Sequence, residues 1–512
     1  MNFVKIGSSE SDGKTIMANA ARAASGLRMM GVEPGDVIAL LLRNDFPFLE
    51  ASQAAGRIGA YPVPVNWHAS PSEAAFIIED SGAKVLIAHG DLFAAMQSHL
   101  PAGVEVVVVP TPEELLDRYG AEKEAVADEV LLWPDWIESN AAIEEPPFAN
   151  RGAMMYTSGT TGRPRGVMRE PPSEPIGKSS FEMFLTITGM APYLDRPEEA
   201  TALMAAPLYH GTPNGWAQAL VPMGVNLVIE TKFDAEQVLA HIEEYRITHA
   251  LLVPTMFVRL LRLPEAVRKR YDLSSLKFVM HAGAPCPAPV KRDMIDWLGL
   301  IVSEHYGSTE VGVITYCDAQ EWLDHPGTVG KALEHVKIEI VDENDEPQPT
   351  GETGEILCRN FGFPNFSYHN DPEKRARAER HGLISLGDVG YLDDDGYLYL
   401  CSRSSEMIIS GGTNIYPAEI EAELLKNDAI VDCAVFGIPD DEFGEKVCAY
   451  IQPRPGVAID EDAIVTRLRA NLAGYKIPRR IVLTDELPRE DSGKVFKRRL
   501  RNPYWKDKNR TI

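Results

Sequence analysis

Nowhere does the chain carry an uninterrupted apolar run of about 18 residues, the length a membrane-spanning helix requires. Its opening residues, Met1-Asn2-Phe3-Val4, lack the charged-then-apolar pattern of a secretory leader. Both points argue against an integral membrane segment, and a cytoplasmic location is expected. Cysteine is sparse and scattered. Cys286, Cys317, Cys358, Cys401, Cys433 and Cys448 show neither a disulfide framework nor zinc-ligand spacing. Positive charge is also in short supply: 50 Lys and Arg against 75 Asp and Glu give a formal net charge of −25. That balance disfavours nucleic acid or an anionic membrane as the main partner. Two familiar catalytic patterns are missing as well. The nucleotide P-loop needs Gly-Lys-Ser/Thr opening a helix, whereas Gly162 is followed by Arg163-Pro164 and Gly312 by Val313. No Gly-x-Ser-x-Gly elbow surrounds Ser158, Ser308 or Ser410, so a serine hydrolase is disfavoured.

What is present is the composition of an ordinary globular protein, with 45% hydrophobic and 24% charged residues. A chain of 512 residues exceeds one compact core and predicts two or more domains. Over residues 14–132, helical periodicity (15–30, 48–58, 70–81) alternates with short apolar strands (37–42, 62–65, 85–88, 104–109). The same rhythm returns over 225–263. Such alternation predicts α/β architecture: a large N-terminal domain of helix-covered, mostly parallel sheets. The last hundred residues read differently, with strands at 429–436 and 445–451 and an amphipathic helix at 460–472, a small α+β domain.

The chemistry concentrates in three places. In Tyr156-Thr157-Ser158-Gly159-Thr160-Thr161-Gly162-Arg163-Pro164-Arg165-Gly166, glycines interleave with hydroxyls behind an apolar strand end. Glycine lets the backbone approach a ligand, consecutive N–H groups form an anion-binding concavity, and Arg163 and Arg165 suit phosphate. The loop is built to hold a polyphosphate. In Ser303-Glu304-His305-Tyr306-Gly307-Ser308-Thr309-Glu310, Tyr306 offers an aromatic face, Thr309 a hydroxyl donor, and Glu310 a hard oxygen ligand for Mg²⁺. In Ser385-Leu386-Gly387-Asp388-Val389-Gly390-Tyr391, the carboxylate of Asp388 can accept from both hydroxyls of a ribose. Taken singly, the first is also a plausible surface turn and the third a common Gly-Asp turn.

In this order the three motifs resemble the adenylate-forming superfamily: acyl-CoA synthetases, aryl-CoA ligases, luciferases and peptide-synthetase adenylation domains. The resemblance runs from Tyr156 to Lys494. It implies that Thr157, Ser158, Gly159, Thr160, Thr161 and Gly162 hold ATP phosphates, and that Tyr306, Gly307, Thr309 and Asp388 hold its nucleoside and α-phosphate. It also implies that Gly283-Ala284-Pro285 packs on the adenine. Glu310 is then the Mg²⁺ ligand, and His210 lines the acyl and adenylate groups. Trp216, Ala217, Gly283, Gly307, Val311 and Gly312 are the expected acid pocket, with Gly283 and Gly312 leaving room for a long or bulky group. Cys286 and His281 are expected to serve packing.

The C-terminal motifs extend the likeness. Arg403 is expected to reach ribose or phosphate, residues 403–406 form the hinge between domains 1–402 and 407–512, and Gly411-Gly412 after Ser410 line the pantetheine channel. Lys494, in the loop 487–494, is implied as the mobile lysine that orients the carboxylate. Two positions depart from the family pattern: Arg165 stands where Lys is usual, and Ser405 where Asp or Lys is usual. The implied activity is AMP-forming acyl-CoA ligation of a hydrophobic carboxylic acid, using ATP, Mg²⁺ and CoA. Fatty, bile-type and cinnamate-like acids stay open, as do loading of a carrier protein and a non-catalytic nucleotide-binding role. A homodimer is the default assembly.

Overall fold

The computed structural model describes residues 2–122, 130–145, 147–157, 164–403, 406–410, 413–440, 442–489 and 495–506. Its frame is a nine-stranded sheet whose six central strands run parallel, in the order Val302–Ser308, Phe278–His281, His249–Leu252, Thr201–Met204, Asn226–Ile229 and Val4–Ile6. Antiparallel strands close both edges. A second, five-stranded sheet is parallel throughout: Tyr61–Pro64, Val37–Leu41, Val85–His89, Glu105–Val109 and Leu131–Leu132. Val37–Leu41 and Val85–His89 are buried along their whole lengths. This is what continuous rather than alternating apolar runs dictate: helices must cover both faces.

Helices begin where the sequence supplies caps. Asp12 accepts from the Thr15 amide ahead of Gly13–Met29, and Ser70 with Glu73 closes a capping box on Pro71–Asp80. Ser70 is thus the cap of a helix that periodicity alone extends over 70–81. The expected helix at 48–58 runs from Phe46 to Arg57 behind the Asp45 cap.

Two parts of the large domain are antiparallel, where the alternation suggests nothing of the kind. Met155–Thr157 and Arg165–Arg169 form a hairpin with Phe366–Tyr368 at its outer edge. Residues 336–403 build a separate five-stranded sheet around the ten-residue strand Leu383–Leu392. Asp388 therefore lies inside a strand rather than in a turn. The helix Glu174–Thr188 is also additional to the elements the pattern indicates. The sheet at 336–403 ends with Leu398–Arg403; the next strand, Ile408–Ser410, opens a five-stranded C-terminal sheet. There Ile430–Asp440 and Gly444–Pro453 pair over ten register positions, with Glu461–Asn471 as the expected helix. Among the described residues no helix is long and apolar enough to cross a membrane.

A fully buried ion pair stitches helix Ala288–Leu298 to the central sheet. Lys291 Nζ, 0% exposed, donates to Glu304 Oε2 at 2.6 Å, and His281 Nε2 lies 3.5 Å from the same oxygen. The ammonium also faces the Trp322 ring at 5.2 Å. Removing one partner of such a pair strands the other charge, so Lys291→Met should cost about 3–5 kcal/mol. Adding Glu304→Leu should restore most of that loss. Urea unfolding of both variants checks it, and a double variant less stable than the single one would refute it.

Candidate functional site

Because the central strands are parallel, their C-terminal ends open on one side of the sheet, where α/β folds bind ligands. Thr201–Met204 leads to Tyr209 and His210, Phe278–His281 to Gly283-Ala284-Pro285, and Val302–Ser308 to Thr309 and Glu310. His210, Gly283, Tyr306, Glu310, Gly312 and Asp388 all border one cleft of about 2800 Å³. Thr157, Ala284, Pro285, Gly307 and Thr309 border it too. Residues as far apart in sequence as Thr157 and Asp388 thus share a single space.

The expected nucleoside side chains meet directly. Tyr306 donates its phenol to Asp388 Oδ2 at 2.5 Å, bridging the nine-stranded sheet and the antiparallel one. Gly387, with φ of 72°, immediately precedes Asp388. Across the strand pair, Asp388 is in register with Arg403, whose side chain lies outside the described residues.

The turn bearing Glu310 is pinned by a residue that the sequence reading passes over. Arg169 donates to the carbonyl oxygens of Thr309, of Glu310 at 3.2 Å and of Pro364 at 2.9 Å, and its guanidinium lies 4.3 Å from the Phe363 ring centroid. Burial lowers its pKa to about 10, against the opposing pull of Glu310, so it remains a cation at neutral pH. Tyr368 donates to Glu310 Oε1 at 3.1 Å, and Lys374 Nζ sits 4.1 Å from the Tyr368 ring. Burial raises the Tyr368 phenol and lowers the Lys374 ammonium from their ordinary values. Ser308 Oγ accepts from the Glu310 and Val311 amides, shaping the same turn. The one clue to Arg169 in the sequence is a charged residue continuing an apolar strand just after the glycine-rich loop.

Several expectations fall elsewhere. Ser158, Gly159, Thr160, Thr161, Gly162, Gly411, Gly412 and Lys494 lie outside the described residues, as does Ser405. Arg165 belongs to the strand Arg165–Arg169, pairs in register with Thr157 and makes an ion pair with Asp371 at 3.2 Å. It does not border the cleft, because Asp371, the cap of helix Pro372–Ala378, draws its guanidinium aside. Val311 turns into the core, 5% exposed and clustered with Ile314 and Ile356, and is not a pocket residue. Gly312 borders the cleft but gives no extra room. At φ of 73°, an added Cβ would sit 2.6 Å from the Phe363 ring, so the aromatic already fills that space. Around Gly283, by contrast, nothing lies within 4 Å of an added Cβ. Trp216 is 1% exposed and belongs to the main core while bordering the cleft, and Ala217 is wholly core. His210 precedes helix Gly211–Met223 with its ring 4.3 Å from that of Tyr209.

A Mg²⁺ ion is compatible with this donor set. Among the described residues no three His, Cys, Asp or Glu side chains gather as a metal cage. Magnesium is commonly held by one or two carboxylates together with waters and substrate phosphates, and Glu310 supplies one such carboxylate.

Comparisons with known proteins agree with this geometry. Residues 14–363 match the model of the AMP-binding enzyme family, and residues 419–494 that of the AMP-binding enzyme C-terminal domain. A feruloyl-CoA synthase from an Amycolatopsis species is 34% identical, over 94% of this chain and 92% of that protein. A Rhodococcus jostii CoA ligase for 3-[(3aS,4S,7aS)-7a-methyl-1,5-dioxo-octahydro-1H-inden-4-yl]propanoate is 32% identical, over 93% and 91% respectively. The ATP-bound structure of MatB from Rhodopseudomonas palustris superposes with a TM-score of 0.81 at 27% identity, covering 99% of this chain and 96% of that one.

Beneath the cleft, His305 and His281 are buried, with no hydrogen-bond partner on either ring nitrogen among the described residues. Burial pushes His305 down to about 4 from the usual 6.5, and His249 likewise. An unfolded chain takes up these protons as pH falls below 6.5 while the folded chain does not. Their contribution to stability is therefore full above pH 6.5 and is lost on descent towards 4, each adding a slope of about 1.4 kcal/mol per pH unit. His305→Asn should flatten the acid limb of the stability curve by about one such slope. Urea midpoints between those pH values test this, and an unchanged limb would contradict it.

Proposed function

We propose the following division of labour for a chain that belongs to the AMP-binding enzyme family and is an AMP-forming acyl-CoA ligase. Its substrates are a carboxylic acid, ATP and CoA. A carboxylate resists nucleophilic attack because oxide would have to leave an anion. Attack of its oxygen on the α-phosphorus of ATP gives an acyl-adenylate and releases pyrophosphate. The CoA sulfur then attacks the acyl carbon, the acyl–phosphate C–O bond breaks, and AMP departs with the electron pair. In the first half-reaction two anions must approach each other, so neutralising charge is the main task.

The observation that carries this reading is the convergence of Tyr306, Asp388 and Glu310 on one cleft, with the phenol 2.5 Å from the Asp388 carboxylate. Tyr306 and Gly283-Ala284-Pro285 flank the adenine, while Asp388 and Arg403 take the ribose. Thr157 with residues 158–162 cradles the phosphates, Thr160 among them, and Thr309 addresses the α-phosphate. Glu310 would hold Mg²⁺, which supplies charge neutralisation on the phosphates when bound. His210 stands beside the reacting acyl group. Arg165 acts from outside the cleft, by holding Asp371 and the hairpin, and Arg169 supplies positive charge beside the Glu310 turn.

Residues 1–402 form the adenylate-site domain, 403–406 the hinge, and 407–512 the small domain that delivers Lys494 to the carboxylate. Strand Leu398–Arg403 closing one sheet and Ile408–Ser410 opening the next supports that boundary. Gly411 and Gly412 leave the pantetheine arm its passage. The acid is hydrophobic, as the apolar cleft wall of Phe181, Met183, Phe184 and Ile187 suggests. A cytoplasmic homodimer is the working assembly.

Lys494→Ala should slow acyl-adenylate formation by about 100-fold or more, a typical loss for one electrostatic donor. The same variant should still convert a synthetic acyl-adenylate and CoA to thioester. Pyrophosphate release and thioester formation, measured separately, decide it; equal loss of both steps rejects the assignment.

A further inference from the structure

Pyrophosphate departing from ATP gathers negative charge that bound Mg²⁺ offsets only in part, so protein cations must meet it. Arg165 stands at the foot of the glycine-rich loop, in register with Thr157, but Asp371 holds its guanidinium and it does not border the cleft. On the hairpin and just beyond Asp371, the residues Arg169, Lys374, Arg377 and Arg380 do border it. All but Lys374 are already engaged. Arg169 donates to the carbonyl oxygens of Thr309, Glu310 and Pro364, and Arg377 donates to Glu373 at 3.4 Å. Arg380 pairs with Asp345 and, at 2.5 Å, with Glu355. Among the described residues the Lys374 ammonium has neither a hydrogen bond nor an ion pair, only the face of the Tyr368 ring.

Lys374 also sits where that negative charge arises. Its Nζ lies 4.1 Å from the centroid of the Tyr368 ring, and the Tyr368 hydroxyl donates to Glu310 Oε1 at 3.1 Å. Lys374, Tyr368 and Glu310 all border the cleft, so the ammonium and the carboxylate offered to Mg²⁺ rest against one phenol at its edge. Of the carboxylates around Lys374, Glu310 attracts its charge most, ahead of Asp371. The other flank is fixed by the chain itself. The Lys374 amide donates to Asp371 Oδ1 at 3.0 Å, while Asp371 Oδ2 accepts from Arg165. Lys374 is thereby tied between the foot of the glycine-rich loop and Glu310. An aromatic face holds a cation without consuming its N–H donors, and lysine meets phosphate as a compact point charge with three donors.

We propose, resting on the acyl-CoA ligase reading, that Lys374 binds the β- and γ-phosphate oxygens of ATP and stays with them as they leave. As the carboxylate oxygen bonds to the α-phosphorus, the bond from that phosphorus to the bridging oxygen breaks, and its electron pair departs with pyrophosphate. Lys374 transfers no proton; its charge stabilises the leaving group. Tyr368 is the positioning residue, carrying the ammonium on its ring and fixing Glu310 with its hydroxyl. Lys374 thus performs the task from which Asp371 withdraws Arg165. Attack of CoA on the acyl-adenylate involves no pyrophosphate and makes no use of Lys374.

The test is calorimetric titration of the full-length protein with Mg-pyrophosphate and, separately, with AMP, which lacks the β- and γ-phosphates. Lys374→Met keeps the stem over Tyr368 and removes the charge. It should weaken Mg-pyrophosphate binding about tenfold or more, the worth of one hydrogen bond to a charged group, and leave AMP affinity unchanged. Lys374→Arg, which retains the charge, should recover most of that loss, and Lys374→Gln stands in if the methionine variant does not fold. Unchanged Mg-pyrophosphate binding without the charge, or an equal weakening of AMP, overturns the inference and leaves the ligase reading intact. A wild-type protein that binds neither AMP nor Mg-pyrophosphate overturns the reading, and the inference with it.

Discussion

One half-buried guanidinium joins the parts of this molecule that must act together. Arg169 sits on the hairpin next to the glycine-rich loop, yet its donors go to the carbonyl oxygens of Thr309, Glu310 and Pro364. It thereby fixes the turn at the end of a central parallel strand against a separate three-stranded sheet. Tyr368, from that same small sheet, binds the Glu310 carboxylate, and Tyr306 reaches across to Asp388 on a third sheet. Three sheets meet at this junction, where the polar contacts lie beside a shared apolar cluster that packs Val167, Phe366 and Tyr368 with Ile314, Ile340 and Ile356. That is an exacting arrangement, since each of these buried groups is unfavourable if its partner moves. Such rigidity is what an enzyme needs when most of its catalytic effect comes from holding charges where they are required.

The interior behind this junction is unusually rich in ionisable groups. Lys291 and Glu304 form a buried pair, His281 Nε2 stands 3.5 Å from the same carboxylate, and His305, without a ring hydrogen bond among the described residues, lies in the same layer as Tyr306. Cys286 is held as an inert thiol, since burial raises its pKa well above the usual value. Of these, Glu304 and His305 share the strand Val302–Ser308 with Tyr306. The ion pair thus fixes helix Ala288–Leu298, and with it the Gly283-Ala284-Pro285 turn, against the strand that presents the aromatic ring. Burying charge so close to the ligand cleft is unfavourable for stability, but it locks the register of the elements lining the site.

Much of this was legible in the residues themselves. Continuous apolar runs announced the parallel sheets, because a strand covered on both faces has no reason to alternate. Tyr306, Glu310 and Asp388 were singled out because each residue type answers a specific chemical need of a nucleotide, and the fold brings all three to one cleft. The antiparallel sheet over 336–403 was not legible: its strands alternate only weakly and its pairings bridge long sequence separations that local periodicity cannot register. Arg169, Tyr368 and Lys374 escaped for a related reason, as their meaning arises only when the hairpin closes on the turn at Glu310. Val311 and Gly312 show the converse. Adjacency to a motif suggested a pocket, but Val311 turns into the core and Phe363 occupies the space above Gly312. Arg165 looked like a phosphate ligand by charge, and only the fold reveals that Asp371 claims it. The open space beside Gly211 and Gly215 was equally hidden, since an open face on a helix depends on what packs opposite.

The account stands on the claim that these separated residues surround one nucleotide. A crystal structure with a non-hydrolysable acyl-adenylate analogue tests it most directly. The account predicts the adenine against the Tyr306 ring, the ribose hydroxyls on the Asp388 carboxylate, and the acyl group directed past His210 along helix Gly211–Met223. Density for the adenosine anywhere away from Tyr306 and Asp388 would contradict it.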